Sequence, residues 1–244
     1  MMIPYIKTII RKTFQLLSID VKRYNLALTE AGIVANILQQ LKIDLVLDIG
    51  GNVGQFAIGI RATGYKNNIV SFEPLLQAHQ KLKKATVKDS LWLAHDRCAI
   101  GDIDGEIIIN VSKNSVSSSI LPMLKKHSDA APDSIFQSSE LTPIFKLDTL
   151  SPQYLKTANN IFIKIDTQGY EWLVLNGATE TLDKTKGLLM ELSLTPLYDG
   201  QHLWKDIVDR LESLGFILWT MMPAFSDIKS GQTLQFDAIF IKNN

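Results

Sequence analysis

The fold is indicated by residues 44–54, which read DLVLDIGGNVG. The first six residues are nearly all apolar, which predicts a short buried strand. Three glycines follow, and residues 55–63 then have the spacing of a helix that Gly64 ends. Glycines at the carboxyl end of a parallel strand let a ligand approach the backbone, and the helix N-terminus after them favours an anionic group. We therefore expect a bound cofactor at Asp48, Gly50, Gly51, Asn52 and Gly54.

The sequence of the same loop distinguishes between two classes of cofactor that it could bind. A dinucleotide fingerprint would need glycine at positions 50, 52 and 55, but Asn52 and Gln55 occupy two of them. The glycines that hold a pyrophosphate are therefore missing. A nucleoside that ends in an amino-acid carboxylate demands less of the loop, and S-adenosylmethionine is such a ligand. A dinucleotide-dependent oxidoreductase remains an alternative, and so does a cofactor-binding protein without turnover.

Helix and strand patterns alternate on both sides of this motif. Near-continuous apolar runs predict strands, and apolar residues at helical spacing predict helices. Further strands are predicted at 69–72, 91–94, 161–166, 187–191, 216–220 and 234–241, and helices at 30–41, 55–63, 74–86, 170–182 and 203–214. Such alternation is typical of an α/β fold with a parallel sheet covered on both faces. The last two strands, joined by a loop containing Pro223 and Gly231, could form an antiparallel pair.

Residues 103–160 interrupt this alternation. Residues 105–111 have strand character, a serine-rich stretch follows, residues 124–139 lack periodicity, and residues 144–147 could form another short strand. Long loops inside a compact domain are usually functional or disordered. We therefore expect one catalytic domain over residues 29–244, with an insertion at about 103–160 over one end of the sheet.

The remaining features of the chain limit its location and partners. Residues 1–28 mix apolar residues with Lys7, Arg11 and Lys12, which predicts an amphipathic helical segment that packs on the core or touches a membrane surface. No apolar run reaches 18 residues and Cys98 is the sole cysteine, which favours a cytoplasmic protein. The 25 basic residues balance the 25 acidic ones, so we expect no nucleic-acid partner. The oligomeric state is not indicated.

Two further segments are candidates for cofactor binding. Glu73 ends the second predicted strand and precedes Pro74. An acidic residue there can accept hydrogen bonds from both hydroxyls of a ribose, although a charge at a helix N-terminus is the alternative. The adenine ring is expected where the third strand ends, beside Asp96, Cys98 and Ala99, for which a plain strand end is an equally good interpretation.

The candidate catalytic residues are Asp166, Glu191 and Lys164. Asp166 ends a strand at the expected switch point of the sheet, where it could hold the cofactor's amino group or accept the proton of an attacking hydroxyl. Lys164 points to the same face and could orient the acceptor or pair with a carboxylate. Glu191 ends the next strand, about 5 Å away. Two carboxylates without further ligand spacing make a metal unlikely.

At these motifs, over about residues 45–240, the chain resembles the FkbM-type methyltransferase family. The landmarks are LDIGGNVGQFA (47–57), FEP (72–74), AIGDIDGE (99–106), KIDTQGYEWLVLNGA (164–178), ELSLTPLYDGQ (191–201) and LQFDAIFIK (234–242). The resemblance implies a Rossmann-like class I methyltransferase fold with a mostly parallel seven-stranded sheet whose last strand is antiparallel. It also implies methyl transfer from S-adenosyl-L-methionine to oxygen, often on sugars, glycolipids or related secondary metabolites. Many relatives carry Glu where this chain has Gln168, which lowers the expectation of a catalytic role there.

The acceptor is expected to be a small molecule or a glycan. The segments predicted at the carboxyl edge of the sheet offer polar and aromatic groups that suit hydroxyls and sugar faces. These are Ser117, Ser118, Ser119, Ser193, Thr195, Tyr198, Gln201 and Trp204. Together with the resemblance, they favour O-methylation of a carbohydrate hydroxyl.

Overall fold

The computed structural model describes residues 11–19 and 25–243. The strands are β1 (Leu45–Ile49), β2 (Asn68–Phe72), β3 (Trp92–Ala94), β4 (Ala99–Gly101), β5 (Gly105–Ser112), β6 (Phe136–Lys146), β7 (Ile161–Ile165), β8 (Thr185–Ser193), β9 (Phe216–Ser226) and β10 (Thr233–Lys242). The α-helices are α1 (Glu30–Gln40), α2 (Gln55–Ala62), α3 (Leu76–Thr86), α4 (Lys125–Ala130), α5 (Leu147–Leu150), α6 (Pro152–Leu155), α7 (Glu171–Asn176), α8 (Thr179–Lys184) and α9 (Trp204–Ser213).

Seven strands form the main sheet in the order β3-β2-β1-β7-β8-β10-β9. Strand β10 runs antiparallel to both β8 and β9, whereas the pairs among β3, β2, β1, β7 and β8 are parallel. The chain order reverses direction between β1 and β7, which is the switch point at which ligands bind to such sheets. The predicted fold class, a mostly parallel α/β sheet with an antiparallel last strand, is confirmed.

Each face of this sheet is covered by its own apolar cluster. Leu45, Leu47 and Ile49 belong to one cluster, and Val46 belongs to the other, because successive strand residues face opposite sides. Asp48 is on the same face as Val46, and its register partners are Ser71 on β2 and Lys164 on β7. Three polar side chains therefore lie side by side near the carboxyl ends of three neighbouring strands.

Strands β5 and β6 of the insertion form a smaller sheet with β4, which precedes it, in the order β4-β6-β5. Strand β6 has eleven residues and pairs along β5, whereas the sequence predicted a strand only at 144–147. The first half of β6 is mostly exposed, so it lacks the apolar alternation that marks a strand. Leu121, Met123 and Phe136 pack against a buried cluster that contains Tyr198.

Two other elements differ from the sequence-based expectation. The helix expected at 170–182 is divided into α7 and α8, because the chain bends around Gly177. A Cβ atom there would lie 1.8 Å from the carbonyl oxygen of Gly101, so the backbone of β4 passes directly against this turn. Pro223, expected in a loop, belongs to β9, where a missing N–H is tolerated because β9 is an edge strand.

The predicted N-terminal helical segment is described only in part, since residues 1–10 and 20–24 lie outside the described residues. Residues 11–15 are helical, and Leu16 and Leu17 after them are exposed. None of the helices in the described ranges is long and apolar enough to cross a membrane.

Candidate active site

A cavity of about 400 Å³ opens at the carboxyl ends of β1, β2 and β7. Its volume falls within the range of roughly 300–1,000 Å³ that is typical of small-molecule sites. Its walls include most of the residues selected from the sequence: Gly50, Gly51, Asn52, Glu73, Pro74, Cys98, Ala99, Lys164, Asp166 and Glu191. Asp48, Gly54 and Asp96 do not line it.

The glycine loop forms one wall of the cavity. Gly50 has φ +74°, and a Cβ atom on it would lie 1.9 Å from the carbonyl oxygen of Asp166, so only glycine lets the ends of β1 and β7 approach this closely. The backbone N–H groups of Gly50 and Gly51 both donate to the carbonyl oxygen of Phe72, at 3.0 and 2.9 Å. The amide Oδ1 of Asn52 is buried and accepts no hydrogen bond from the described part of the chain.

Asp48 and Gly54, both expected to contact a cofactor, lie behind the wall of the cavity rather than in it. The buried Asp48 carboxylate accepts a hydrogen bond of 2.7 Å from the Ser71 hydroxyl. Gly54 begins α2 with φ +96°, and a Cβ atom there would lie 2.6 Å from the indole ring of Trp92. Both residues thus serve the packing beneath the loop.

Glu73 joins the glycine loop to the start of α3. Its two carboxylate oxygens accept hydrogen bonds of 2.8 Å from the backbone N–H groups of Asn52 and Leu75. Burial is the main cause that raises the pKa of Glu73 to about 7, against the lowering effect of these two N–H groups. Each oxygen keeps a second lone pair, so Glu73 can still accept hydrogen bonds from a ligand in the cavity.

The segment after β3 contributes an apolar wall. Because β3 ends at Ala94, Asp96 lies in the connection to β4, and its exposed carboxylate is 3.5 Å from the Lys83 ammonium. Asp96, which was expected to contact the cofactor, is not among the residues that line the cavity. Cys98 and Ala99 do line the cavity, and burial raises the pKa of the Cys98 thiol to about 12. This wall therefore presents neutral surface on which a ring could lie.

Lys164 lies between two carboxylates. Its ammonium group donates to the carbonyl oxygen of Gly50 at 2.9 Å, and it is 3.4 Å from Asp166 Oδ2 and 3.5 Å from Asp48 Oδ1. Burial lowers the pKa of Lys164, but Asp166 and Asp48 raise it by more, so the ammonium stays charged. The polar capacity of Lys164 is already used within the protein, which makes it a partner for carboxylates rather than a free contact for an acceptor.

Glu191 lines the cavity together with two other acidic residues, Asp166 and Asp237. Its Oε2 accepts hydrogen bonds from two amides, Gln168 Nε2 at 2.6 Å and Gln235 Nε2 at 2.8 Å. Burial and then the charges of Asp166 and Asp237 raise the pKa of Glu191 well above its usual range. Burial and these neighbouring charges therefore favour the neutral acid form of Glu191.

Gln168 connects Asp166 with Glu191. Its Nε2 also donates to Asp166 Oδ1 at 2.9 Å, and its Oε1 accepts a hydrogen bond of 2.9 Å from the Tyr198 phenol. The Ser119 hydroxyl donates to the backbone carbonyl of Gln168 at 2.6 Å. Four segments of the chain thus meet at this one side chain.

Buried Glu171 fixes the turn that carries Gln168. Its Oε1 accepts hydrogen bonds of 3.0 Å from the backbone N–H groups of both Thr167 and Gly169. Glu171 does not line the cavity, so it shapes the loop without touching a ligand.

Sequence reasoning missed two residues of this site. Asp237 lines the cavity, and Gln235 donates to Glu191, which also lines it. A usable signal existed for both, because positions 235 and 237 are polar, share one face and interrupt an otherwise apolar strand.

The groups selected for acceptor binding are mostly engaged elsewhere. Of the eight, Ser118 and Ser119 line the cavity. Tyr198 is fully buried, and Gln201 Oε1 accepts hydrogen bonds from the backbone of Leu197 and Tyr198. Tyr198 therefore offers no face on which a sugar could stack. Within the described ranges, no group of three or more His, Cys, Asp or Glu side chains is arranged to hold a metal ion.

The strand order and the cavity at the switch point define the fold of a class I methyltransferase. The chain belongs to the methyltransferase FkbM domain family, whose sequence profile matches residues 48–218. No curated protein matches the chain.

Solved structures with a similar fold are distant in sequence. Methyltransferase FkbM from Methylobacillus flagellatus KT is 16% identical with a TM-score of 0.49, over 81% of this chain and 43% of that chain. TehB from Haemophilus influenzae is 10% identical with a TM-score of 0.47, over 87% of this chain and 62% of that one. Magnesium protoporphyrin IX methyltransferase from Synechocystis PCC 6803, solved with bound SAM, is 11% identical with a TM-score of 0.46, over 97% of both chains. This chain thus spans less than half the length of the FkbM structure.

Proposed function

We propose that the protein transfers a methyl group from S-adenosylmethionine to a hydroxyl oxygen of a sugar or a related glycoconjugate. The observation that carries this proposal is that the glycine loop, Glu73 and Asp166 line one cavity at the switch point of a methyltransferase fold. Membership in the FkbM family supports the transfer of a methyl group.

The cavity suits a nucleoside with an amino-acid tail. Glu73 can accept hydrogen bonds from ribose hydroxyls, and the wall at Cys98 and Ala99 is apolar enough for an adenine ring. Asn52 Oδ1, which has no hydrogen-bond donor from the described residues, can accept one from an ammonium or a hydroxyl group. A buried acceptor without a partner in the protein is the feature that a polar ligand would satisfy.

A dinucleotide fits this site less well. The backbone N–H of Asn52 already donates to Glu73, and that of Val53 donates to Gln55 Oε1 at 3.1 Å, so two donors at the start of α2 are unavailable to a pyrophosphate. The carboxyl and ammonium side chains that line the cavity in the described part are Glu30, Glu73, Asp166, Glu191, Asp237 and Lys164. Phosphate groups would meet five acids and one lysine that is already paired.

Asp166 is the best candidate for the proton acceptor. Its side chain is 36% exposed, whereas Glu191 is held by two amide donors and has a raised pKa. When bound, S-adenosylmethionine would supply a methyl group that is activated on a sulfonium. Orientation of the acceptor by the cavity walls can contribute up to about 7–11 kcal/mol, and a base at Asp166 about 10²–10⁴-fold in rate.

The charges of the cavity also bear on the acceptor. Carboxylates accept hydrogen bonds from hydroxyl and ammonium groups and repel anions, so neutral or amine-bearing acceptors suit this site better than phosphorylated ones. Ser118 and Ser119 add small polar groups that can bond to hydroxyls. The balanced net charge offers no general attraction for nucleic acid.

Two assays test the proposal. Calorimetry with S-adenosylmethionine and with NAD should find binding of the first and not of the second; the reverse would favour the oxidoreductase. Label from methyl-labelled cofactor, in the presence of EDTA, should appear in neutral or amine-bearing glycans within a panel that also contains nucleotide sugars, tRNA and denatured protein. Label only in RNA or protein would contradict the acceptor class, and cofactor binding without any transfer would favour a non-catalytic binding protein.

A further inference from the structure

Gln168 uses every hydrogen-bonding atom of its amide, and the chemistry of its neighbours fixes which end is which. Asp166 is the ion-pair partner of the Lys164 ammonium, and an ionised carboxylate can only accept hydrogen bonds, so the amide end that faces Asp166 is the NH₂ group, which also reaches Glu191. The Tyr198 phenol then donates to the carbonyl end. The amide therefore joins two carboxyl groups without adding charge.

This neutral bridge lies in a strongly acidic environment. The titratable side chains near Asp166 come from β7, β8, β10, α7 and the segment after β8. They are Lys164, Glu191, Asp237, Glu171 and Tyr198, and Lys164 also pairs with Asp48 on β1. Because the Lys164 ammonium reaches only Oδ2 of Asp166, Oδ1 depends on the Gln168 amide for its donor. Without that donor, Asp166 would face the other acids with one ion pair at 3.4 Å.

We propose that Gln168 is a positioning residue for methyl transfer: its NH₂ group holds the Asp166 carboxylate in place as the proton acceptor and keeps it apart from Glu191. This inference rests on the proposed function and adds the residue that assigns different states to the two carboxyl groups. One NH₂ hydrogen of Gln168 bonds to the Asp166 carboxylate. The other bonds to an oxygen of Glu191, whose neutral form is favoured by burial, so the amide assigns different roles to the two carboxyl groups.

The backbone and its neighbours hold Gln168 in this orientation. The residue has φ +54°, a conformation that costs energy for any side chain except glycine, and the surrounding contacts maintain it. Fully buried Tyr198 fixes the amide carbonyl, and Ser119 fixes the backbone carbonyl. The side chain is therefore positioned before any substrate arrives.

The test compares Gln168→Met and Gln168→Glu with the wild type and with Gln153→Met, a control on exposed α6. Methionine keeps the length of the side chain and removes both donors, so kcat should fall by up to about 10²-fold. The rising limb of kcat against pH, which reports ionisation of the base, should move to higher pH by about one unit. Gln168→Glu places a third carboxyl group between Asp166 and Glu191, so it should move the rising limb of the kcat profile to still higher pH. The control should leave both values unchanged.

A merely structural role predicts another pattern. It would lower kcat, stability and cofactor affinity without moving the pH limb, and that result would overturn the proposal. Cofactor affinity within about threefold of wild type, measured by calorimetry, would show that the variant site is intact. If Gln168→Met fails to fold, Tyr198→Phe replaces it, because loss of the phenol should move the limb in the same direction by a smaller amount.

Failure of this inference is distinguishable from failure of the proposed function. A wild-type protein that forms no methylated product overturns the proposed function, whereas an active wild type with an unchanged pH limb in Gln168→Met overturns only the role of Gln168. A second readout needs no turnover. Infrared titration of the carboxyl groups, with the free protein, should show one group titrating at higher pH in Gln168→Met than in wild type, and identical titrations would contradict the bridge.

Discussion

Asp237 and Glu191 lie directly opposite each other in the antiparallel ladder between β10 and β8, and both face the cavity. Like charges in such a pair destabilise a sheet. Burial, followed by the charge of Glu30, raises the pKa of Asp237 to about 7, and the pKa of Glu191 is also well raised. Burial therefore favours the neutral forms of both carboxyl groups, which lessens the repulsion between them.

The raised pKa of Asp237 predicts how the stability of the protein depends on pH. The pKa of Asp237 is near 7 in the folded protein and about 3.9 when unfolded, so the folded state binds more protons between these values. Stability from this group is present below about pH 4 and is lost as the pH rises through 7. Urea unfolding should show that Asp237→Asn stabilises the protein at pH 8 more than at pH 5.5. Equal effects at both pH values would contradict the raised pKa, and Asp209→Asn, on the exposed part of α9, is the control.

Glu73→Gln should weaken the binding of S-adenosylmethionine. The substitution places an NH₂ group opposite the backbone N–H of Asn52 or Leu75 and removes a charged acceptor from the ribose site. Loss of a hydrogen bond to a charged group costs about 1.5–3 kcal/mol, which corresponds to roughly a 10- to 150-fold increase in Kd. Calorimetry measures this change, with exposed Glu106→Gln as the control. An unchanged Kd would remove Glu73 from the cofactor site.

Asp166→Asn should lower turnover more than it weakens cofactor binding. The amide keeps the size of the carboxylate but has no useful basicity, so kcat should fall by about 10²–10⁴-fold. The Kd for S-adenosylmethionine should change little. Single-turnover kinetics and calorimetry on the same preparation compare the two quantities. Equal losses would make Asp166 a ligand of the cofactor instead of the base.

Gly50→Ala and Gly64→Ala form a matched pair of substitutions. Both residues have positive φ, +74° and +100°, but only Gly50 faces a close neighbour, the Asp166 carbonyl oxygen. Gly64→Ala should cost about 1–2 kcal/mol from backbone strain alone. Gly50→Ala should cost more, and it should also weaken cofactor binding because the ends of β1 and β7 must separate. If urea unfolding gives equal losses, the close approach at Gly50 has no energetic effect.

The sequence predicts the sheet better than it predicts the polar contacts. The positions of the parallel strands follow from their apolar runs, and the loop after β1 is marked by its glycines, since those patterns are local. The sequence did not identify Asp237, because its importance depends on its register with Glu191, a residue 46 positions away in the sequence. Asp96 was selected by its position after β3, but the orientation of a side chain in a connection depends on packing that no pattern records.

Gln168 illustrates the same limit in another way. A glutamine at position 168 suggested a weaker catalytic role than an acidic residue would have. The type of a side chain shows which hydrogen bonds it can form, but it does not show which partners it has. Its function in the site depends on Tyr198, thirty positions away, and on Ser119 in the insertion.

The contacts of the serine-rich loop with the turn after β7 affect how the enzyme could be redesigned. Ser119 donates to the backbone carbonyl of Gln168, and the carbonyl oxygen of Ser117 lies 3.1 Å from the phenol oxygen that contacts the Gln168 amide. An insertion taken from a relative to change the acceptor would therefore also alter the geometry around Asp166. The loop therefore cannot be exchanged independently of the active site. A chimera would retain catalysis only if the new loop kept a serine at position 119 and the same backbone conformation at position 117.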